Sequence, residues 1–236
     1  MSAAARCALL VALAACQDAP PALPEGEGRG VVAADTAAPS GGETVAAPRW
    51  RAGDVFVYRR AGVARVQMRV VEPPATLPEG LVLPEGAWVL QDEDSRGVLY
   101  LDAELAEIGQ QVGDRTGSLR LNVPAERRYH WPLWPGKRWT SEFVRKAPGQ
   151  ALAMTAAYHV DAVEEITVPA GTFRCLRIWR RLRPVGDRPW PELVTVWWYA
   201  PQVGTFVRRL ENSVMLELEA AMRSSEAGAG SRPTQG

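Results

Sequence analysis

Between residues 63 and 72 the chain alternates. Ala64, Val66, Met68 and Val70 fall on one face, and Arg65, Gln67 and Arg69 on the other. A period of two with one polar face is the signature of a half-buried antiparallel strand. Residues 214–222 repeat it, with Val214, Leu216, Leu218 and Ala220 set against Glu217 and Glu219. The same period predicts strands at 55–60, 87–91, 97–102 and 140–145, and short ones at 119–123 and 129–131.

The strongest pattern lies between residues 151 and 210. Two β-rich runs, 158–168 and 172–182, flank Pro169-Ala170-Gly171. Pro169 presets φ for a turn, and Gly171 accepts the positive φ that closes it, so the pair reads as a hairpin. A second hairpin, 193–199 and 205–210, turns through Ala200-Pro201-Gln202-Val203-Gly204. The run 151–167 is long for a strand and predicts a bend or a bulge.

These central strands differ from the outer ones. Residues 193–199, Leu-Val-Thr-Val-Trp-Trp-Tyr, are apolar on both faces. On 172–182, Phe173, Cys175 and Trp179 share one face, and Leu176, Ile178 and Leu182 the other. Strands buried on both faces need cover on both. No long amphipathic helix is predicted to supply it. The fold expected is all-β, a single curved antiparallel sheet of half-barrel or barrel-like form. A β-sandwich is the alternative. The two-sided strands also predict that a Trp among Trp179, Trp197 and Trp198 lines an apolar groove or cavity.

The N-terminus carries a different signal. Arg6 precedes a short apolar run, 7–15, that ends Leu13-Ala14-Ala15-Cys16. The run is too short to span a bilayer, and small residues before a Cys suit a signal peptidase. This is similar to the lipobox of bacterial lipoproteins. It implies a signal peptide at 1–15 and lipid attachment at Cys16. By the same likeness, Gln17 implies the periplasmic face of the outer membrane. Residues 16–48, rich in Ala, Pro and Gly, predict a disordered tether, 49–223 the β domain, and 224–236 a disordered tail.

Composition narrows the function. The chain has 27 basic and 27 acidic residues, so nothing favours nucleic acid. Loss of Cys7 with the signal and acylation of Cys16 would leave Cys175 alone, expected to be buried and inert. His130 and His159 lack metal spacing, and no nucleophile elbow or phosphate loop is present. Asp92-Glu93-Asp94-Ser95-Arg96-Gly97 opens like a calcium loop, but Arg96 and Ala103 occupy ligand places, so it reads as an acidic turn. No metal, cofactor or catalytic residue is expected. The dense run Arg174, Arg177, Arg180, Arg181, Arg183 and Arg188 offers contact with anionic headgroups, with Arg177, Arg180 and Arg181 as its centre.

Four segments carry a resemblance. Residues 168–173 (VPAGTF) and 196–204 (VWWYAPQVG) are similar to the VPAGTF…WYAPxVG signature of a family of bacterial envelope lipoproteins. Trp50-Arg51-Ala52-Gly53-Asp54 and residues 132–139 (PLWPGKRW) resemble that family's N-terminal elements. These residues form turns and core, so the likeness implies architecture more than activity. Such proteins resemble the half-barrel lipoprotein carriers and receptors of the LolA/LolB type. That implies a curved sheet and, by analogy, binding of a lipid or an envelope partner at the membrane.

Overall fold

The computed structural model describes residues 28–113, 119–186 and 191–224. Cys16, the signal segment, Arg188 and the tail beyond 224 lie outside the described residues. Thirteen strands and no helix are found among the described residues. They are β1 (Gly30–Ala34), β2 (Val55–Arg60), β3 (Ala64–Val71), β4 (Trp88–Asp92), β5 (Val98–Leu101), β6 (Glu107–Gln111) and β7 (Leu119–Glu126). They continue with β8 (Arg138–Ala147), β9 (Gln150–Val168), β10 (Gly171–Pro184), β11 (Leu193–Ala200), β12 (Thr205–Glu211) and β13 (Val214–Met222).

From β2 to β13 each strand pairs antiparallel with the next, and β13 returns to pair with β2, Leu218 opposite Tyr58. The curved sheet is therefore a closed twelve-stranded meander barrel. Closure removes the two end strands that an open half-barrel would have to protect. The turns after β2, β4, β8 and β12 share one end, and the connections after β3, β5, β7, β9 and β11 share the other.

Asp54 locks the closure. It is 1 % exposed. Its carboxylate accepts from Arg51 N (3.0 Å), Ser224 N (2.8 Å) and Arg223 Nη1 (2.7 Å), which ties the start of the barrel to its finish. Gly53, at φ 92°, makes the turn that aims it. Trp50 donates from Nε1 to the Gly204 carbonyl at 2.9 Å and packs on Phe56 and Trp88. The Trp-x-x-Gly-Asp element is a clasp.

Cover for the two-sided strands comes from the chain itself. The β9–β10 hairpin outruns the barrel wall, and its tip bends over β12 and β13. There Ala170 N donates to the Leu218 carbonyl at 3.0 Å, and Arg208 Nη2 to the Thr167 carbonyl at 2.9 Å. Ile166, Val168, Cys175 and Val207 are buried in one cluster as a result. A bulge at Asp161, which has no partner between Arg177↔Ala162 and Ile178↔Val160, lets the long strand bend. On the opposite side, the connection after β3 does the same work. Its two Leu-Pro-Glu-Gly turns bring Leu81 onto Val89 and Tyr100, with Leu77, Leu83, Ile108 and Leu121 packed around that cluster.

Three expectations need correction. The tether was expected to be disordered over 16–48, yet Gly30–Ala34 is a strand on β8, with Gly30 opposite Glu142 and Ala34 opposite Trp139. The reason is an open edge. β7 pairs with β8 only at 121–123, so 139–142, paired with β9 on one side, is open on the other until β1 takes it. Residues 129–131 are connection, not strand, and β6 was not anticipated.

Candidate functional site

The barrel is not uniformly filled. Beside β8 to β11, Trp139, Phe143, Ala156, Tyr158, Ile178 and Leu182 pack into a core in which each is at most 3 % exposed. Trp139 stacks on Tyr158 with ring centroids 4.8 Å apart. Toward β2 to β6, β12 and β13 lies a cavity of about 640 Å³. That volume falls within the ~300–1,000 Å³ typical of small-molecule sites.

The cavity is two-sided. One wall, from β2 to β5 and β13, presents Phe56, Met68, Leu90, Leu99, Leu101 and Leu216. The facing wall, from β10 to β12 and the connection after β7, presents Arg128, Tyr129, Arg180, Thr195, Trp197 and Arg209. Tyr129 marks the boundary with the packed side. It stacks on Trp131 at 5.1 Å and meets Tyr199 (5.5 Å) and Trp197 (6.0 Å) edge-on.

Behind the polar wall sits a buried ionic network. Glu126, 0 % exposed, accepts from Arg180 Nε (2.7 Å), Arg145 Nη2 (3.2 Å) and the Tyr158 hydroxyl (2.6 Å). Burial pushes the Glu126 carboxyl up, but Arg180, Arg128, Tyr158 and Arg145 outweigh it and hold it below its ordinary value. Glu107, also buried, pairs with Arg128 and accepts from Asn122 Nδ2 at 3.2 Å. Burial raises the Tyr58, Tyr129 and Tyr199 hydroxyls well above the usual phenol range. The site therefore holds cationic guanidinium groups and neutral phenols.

The structure separates the residues that the sequence grouped. Trp197 points inward and lines the cavity at 4 % exposed. Trp179 and Trp198 face outward and are half-buried. Their Nε1 atoms donate to Asp161 (3.0 Å) and Glu164 (2.6 Å). The three do not form one groove. The arginines divide likewise. Arg177 faces outward, chelated by Asp161 (2.7 and 2.9 Å) and Glu164 (2.5 Å). Arg180 points inward onto Glu126, and Arg181 is exposed. Positions 177 and 180 are three apart on a strand, so they occupy opposite faces and cannot meet one headgroup.

The remaining candidates are structural. Asp92 Oδ1 accepts from the backbone N of Asp94 (3.0 Å) and Ser95 (3.2 Å), which closes the acidic turn. No cluster of three or more His, Cys, Asp or Glu fit to hold a metal is found among the described residues. Lys137, in the Pro-Leu-Trp-Pro-Gly-Lys-Arg-Trp element, is 1 % exposed and donates to the carbonyls of His130 (2.5 Å) and Pro132 (2.7 Å). Burial lowers its pKa to about 8.

Sequence reasoning missed Glu126, Arg128 and Arg209. β7 explains the first. Its apolar Leu119 and Leu121 pack outward under the connection after β3, while its polar Asn122 and Glu126 point in. Alternation was visible there, but inverted relative to the usual rule. For Arg209, its place opposite Trp197 across β11 and β12 is the signal that could have found it.

No family model matches the sequence, and no curated protein matches it. Solved structures do match at low identity. The hypothetical lipoprotein YmcC of Escherichia coli has 8 % identity and a TM-score of 0.44, over 75 % of this chain and 90 % of that one. A candidate lipoprotein of Parabacteroides distasonis has 14 % identity and a TM-score of 0.37, over 76 % of this chain and 99 % of that one. A candidate exported protein with YmcC-like fold from Bacteroides fragilis has 14 % identity and a TM-score of 0.38, over 76 % of this chain and 100 % of that one.

Proposed function

We propose that this chain is a lipid-anchored, non-catalytic protein of the bacterial cell envelope whose barrel interior binds an apolar ligand. The observation that carries the binding half is the cavity of about 640 Å³ with Phe56, Met68, Leu90, Leu99, Leu101 and Leu216 on one wall. A ligand there would remove apolar surface from water at roughly 25 cal/mol per Å². The anchoring half rests on Cys16 at the end of a lipobox-like run, with membrane attachment through its acyl chains and the outer membrane as destination.

Two experiments test the two halves separately. Dodecanol, an uncharged apolar probe, is titrated onto the full chain and bound probe is counted by native mass spectrometry. One saturable equivalent, weakened by Leu99→Arg on the cavity wall, is expected. No saturable binding would leave the barrel a structural component of the envelope. For the anchor, Cys16→Ser abolishes labelling by palmitate and leaves the precursor unprocessed. Normal labelling of that variant would overturn the lipid site.

A further inference from the structure

Six buried side-chain polar atoms have no hydrogen-bond partner among the described residues. Four belong to the cavity's polar wall: Arg128 Nε, Thr195 Oγ1, Trp197 Nε1 and Arg209 Nε. Thr195 and Trp197 are 3 % and 4 % exposed, so these are interior atoms. Three are N–H donors and the fourth is a hydroxyl that can donate. A buried donor left unmet is costly, and native interiors hold few of them. Trp197 Nε1 has the Tyr129 hydroxyl within reach, which leaves three wholly unmet on one wall of one cavity, a surface built to be accepted from.

Charge points the same way. The network behind the wall sets three guanidiniums, Arg128, Arg145 and Arg180, against two carboxylates, Glu107 and Glu126. One positive charge is left over inside the barrel. Arg209 lies close enough to Arg128 for the two to repel, and its own partner Glu211 stands 3.4 Å away near the hairpin end. Buried charge of one sign needs a counter-charge. The facing wall's carboxylate, Asp92 at the end of β4, is occupied by Asp94 N, Ser95 N and Ser95 Oγ in the acidic turn, and the rest of that wall is apolar over most of its length.

We infer that the cavity takes a single-chain amphiphile with a carboxylate head, the chain lying on the apolar wall and the carboxylate accepting from Arg128 and Arg209. A carboxylate carries one negative charge, equal to the excess in the network, and its two oxygens suit the fork of a guanidinium. Thr195 and Trp197 are placed on the same wall to complete its hydrogen bonds. This inference rests on the cavity being a ligand site and adds the ligand's polarity.

The test compares dodecanoate with dodecanol, which share a chain and differ in the head, on the full chain. Dodecanoate is expected to bind more tightly by on the order of tenfold or more, as fits one charge-assisted hydrogen-bond pair. In Arg209→Gln that preference shrinks toward unity. Dodecyl phosphate, with a larger and more highly charged head, is expected to bind less well than dodecanoate. Equal binding of dodecanoate and dodecanol to the unaltered chain overturns the assigned head and leaves the apolar site standing. Tighter binding of dodecyl phosphate replaces the carboxylate with a lipid phosphate. Failure of both dodecanoate and dodecanol removes the ligand site itself. The comparison on the unaltered chain decides the matter even if Arg209→Gln folds poorly.

Discussion

The two sides of this barrel share one sheet and one topology but not one interior. Beside β8 to β11 the inward residues are large and interlock: Trp139 on Tyr158, with Phe143, Ile178 and Leu182 around them. Beside β3 to β5 the inward residues, among them Val66, Met68, Leu90, Leu99 and Leu101, are mid-sized and reach only part of the way across, so a cavity stays open. Strand number fixes the diameter of a closed barrel, and twelve strands enclose more room than side chains of one wall can fill. The packed side solves this with aromatics and a buried ionic network. The hollow side leaves it unsolved and so has room for a ligand.

If the ionic network holds the packed side in place, breaking it has the largest effect. Glu126→Gln keeps the side chain's shape but strands Arg180 and Arg145 without their carboxylate. The expected loss is about 3–5 kcal/mol, read as a lower urea midpoint or as failure to accumulate folded protein. A loss below about 1 kcal/mol would mean that water reaches these charges and that the network is no core.

Truncation then compares the sides directly. Trp139→Ala on the packed side should cost about 3–5 kcal/mol. Met68→Ala on the cavity wall should cost well under the ~2 kcal/mol expected of a packed Met, because its side chain already borders empty space. Equal losses would show that the hollow side is as tightly packed as the other. Enlargement reverses the contrast. Ala156→Leu, at a fully buried position, should lose about 1–3 kcal/mol by overpacking. Val66→Phe should lose nothing measurable in a thermal melt and should weaken dodecanol binding.

At the end that carries the turns after β9 and β11, the two signature glycines differ as well. Gly204 has φ 76°, and a Cβ there would lie 2.7 Å from Arg223 Nη2 and 3.0 Å from Pro48 Cβ. Gly171 has φ 132°, and a Cβ would meet only Phe173, at 3.7 Å. Gly204→Ala should cost about 2 kcal/mol and Gly171→Ala about 1 kcal/mol. The reverse order in thermal melts would mean that the clasp around Trp50 and Arg223 yields easily.

Much of the wall could be read from sequence, and little of the interior. Strands at 55–60, 193–199 and 205–210 were legible to within a residue because their patterns and turns agree. β6 was not: Glu107-Ile108-Gly109-Gln110-Gln111 has no apolar face, since its inward side borders the cavity and the buried network. The cavity needed tertiary facts. Which way a strand faces decides whether an arginine is solvent or site, and strand period alone separates Arg180 from Arg177 without saying which is inside. β7 shows the same limit, with leucines facing out under a connection that no local pattern predicts.

The outer cover supplies the smallest and most local test. Cys175 lies beneath the bent tip of the β9–β10 hairpin, 1 % exposed. Burial pushes its thiol up from an ordinary 9.0 to about 12; the nearby Arg208 opposes this and Glu164 adds to it. Below pH 9 the thiol is neutral whether the chain is folded or not, so it takes nothing from stability. Between pH 9 and about 12 the unfolded chain gives up the proton first, and stability falls as pH rises. The thiolate is the reactive form, so iodoacetamide should modify Cys175 in the native chain on the order of a hundredfold more slowly than in urea. Modification is read at the Cys175 peptide by mass spectrometry. If native and unfolded rates agree at pH 8, the hairpin tip opens freely. The two-sided strands would then owe their outer cover to a lid that spends much of its time lifted.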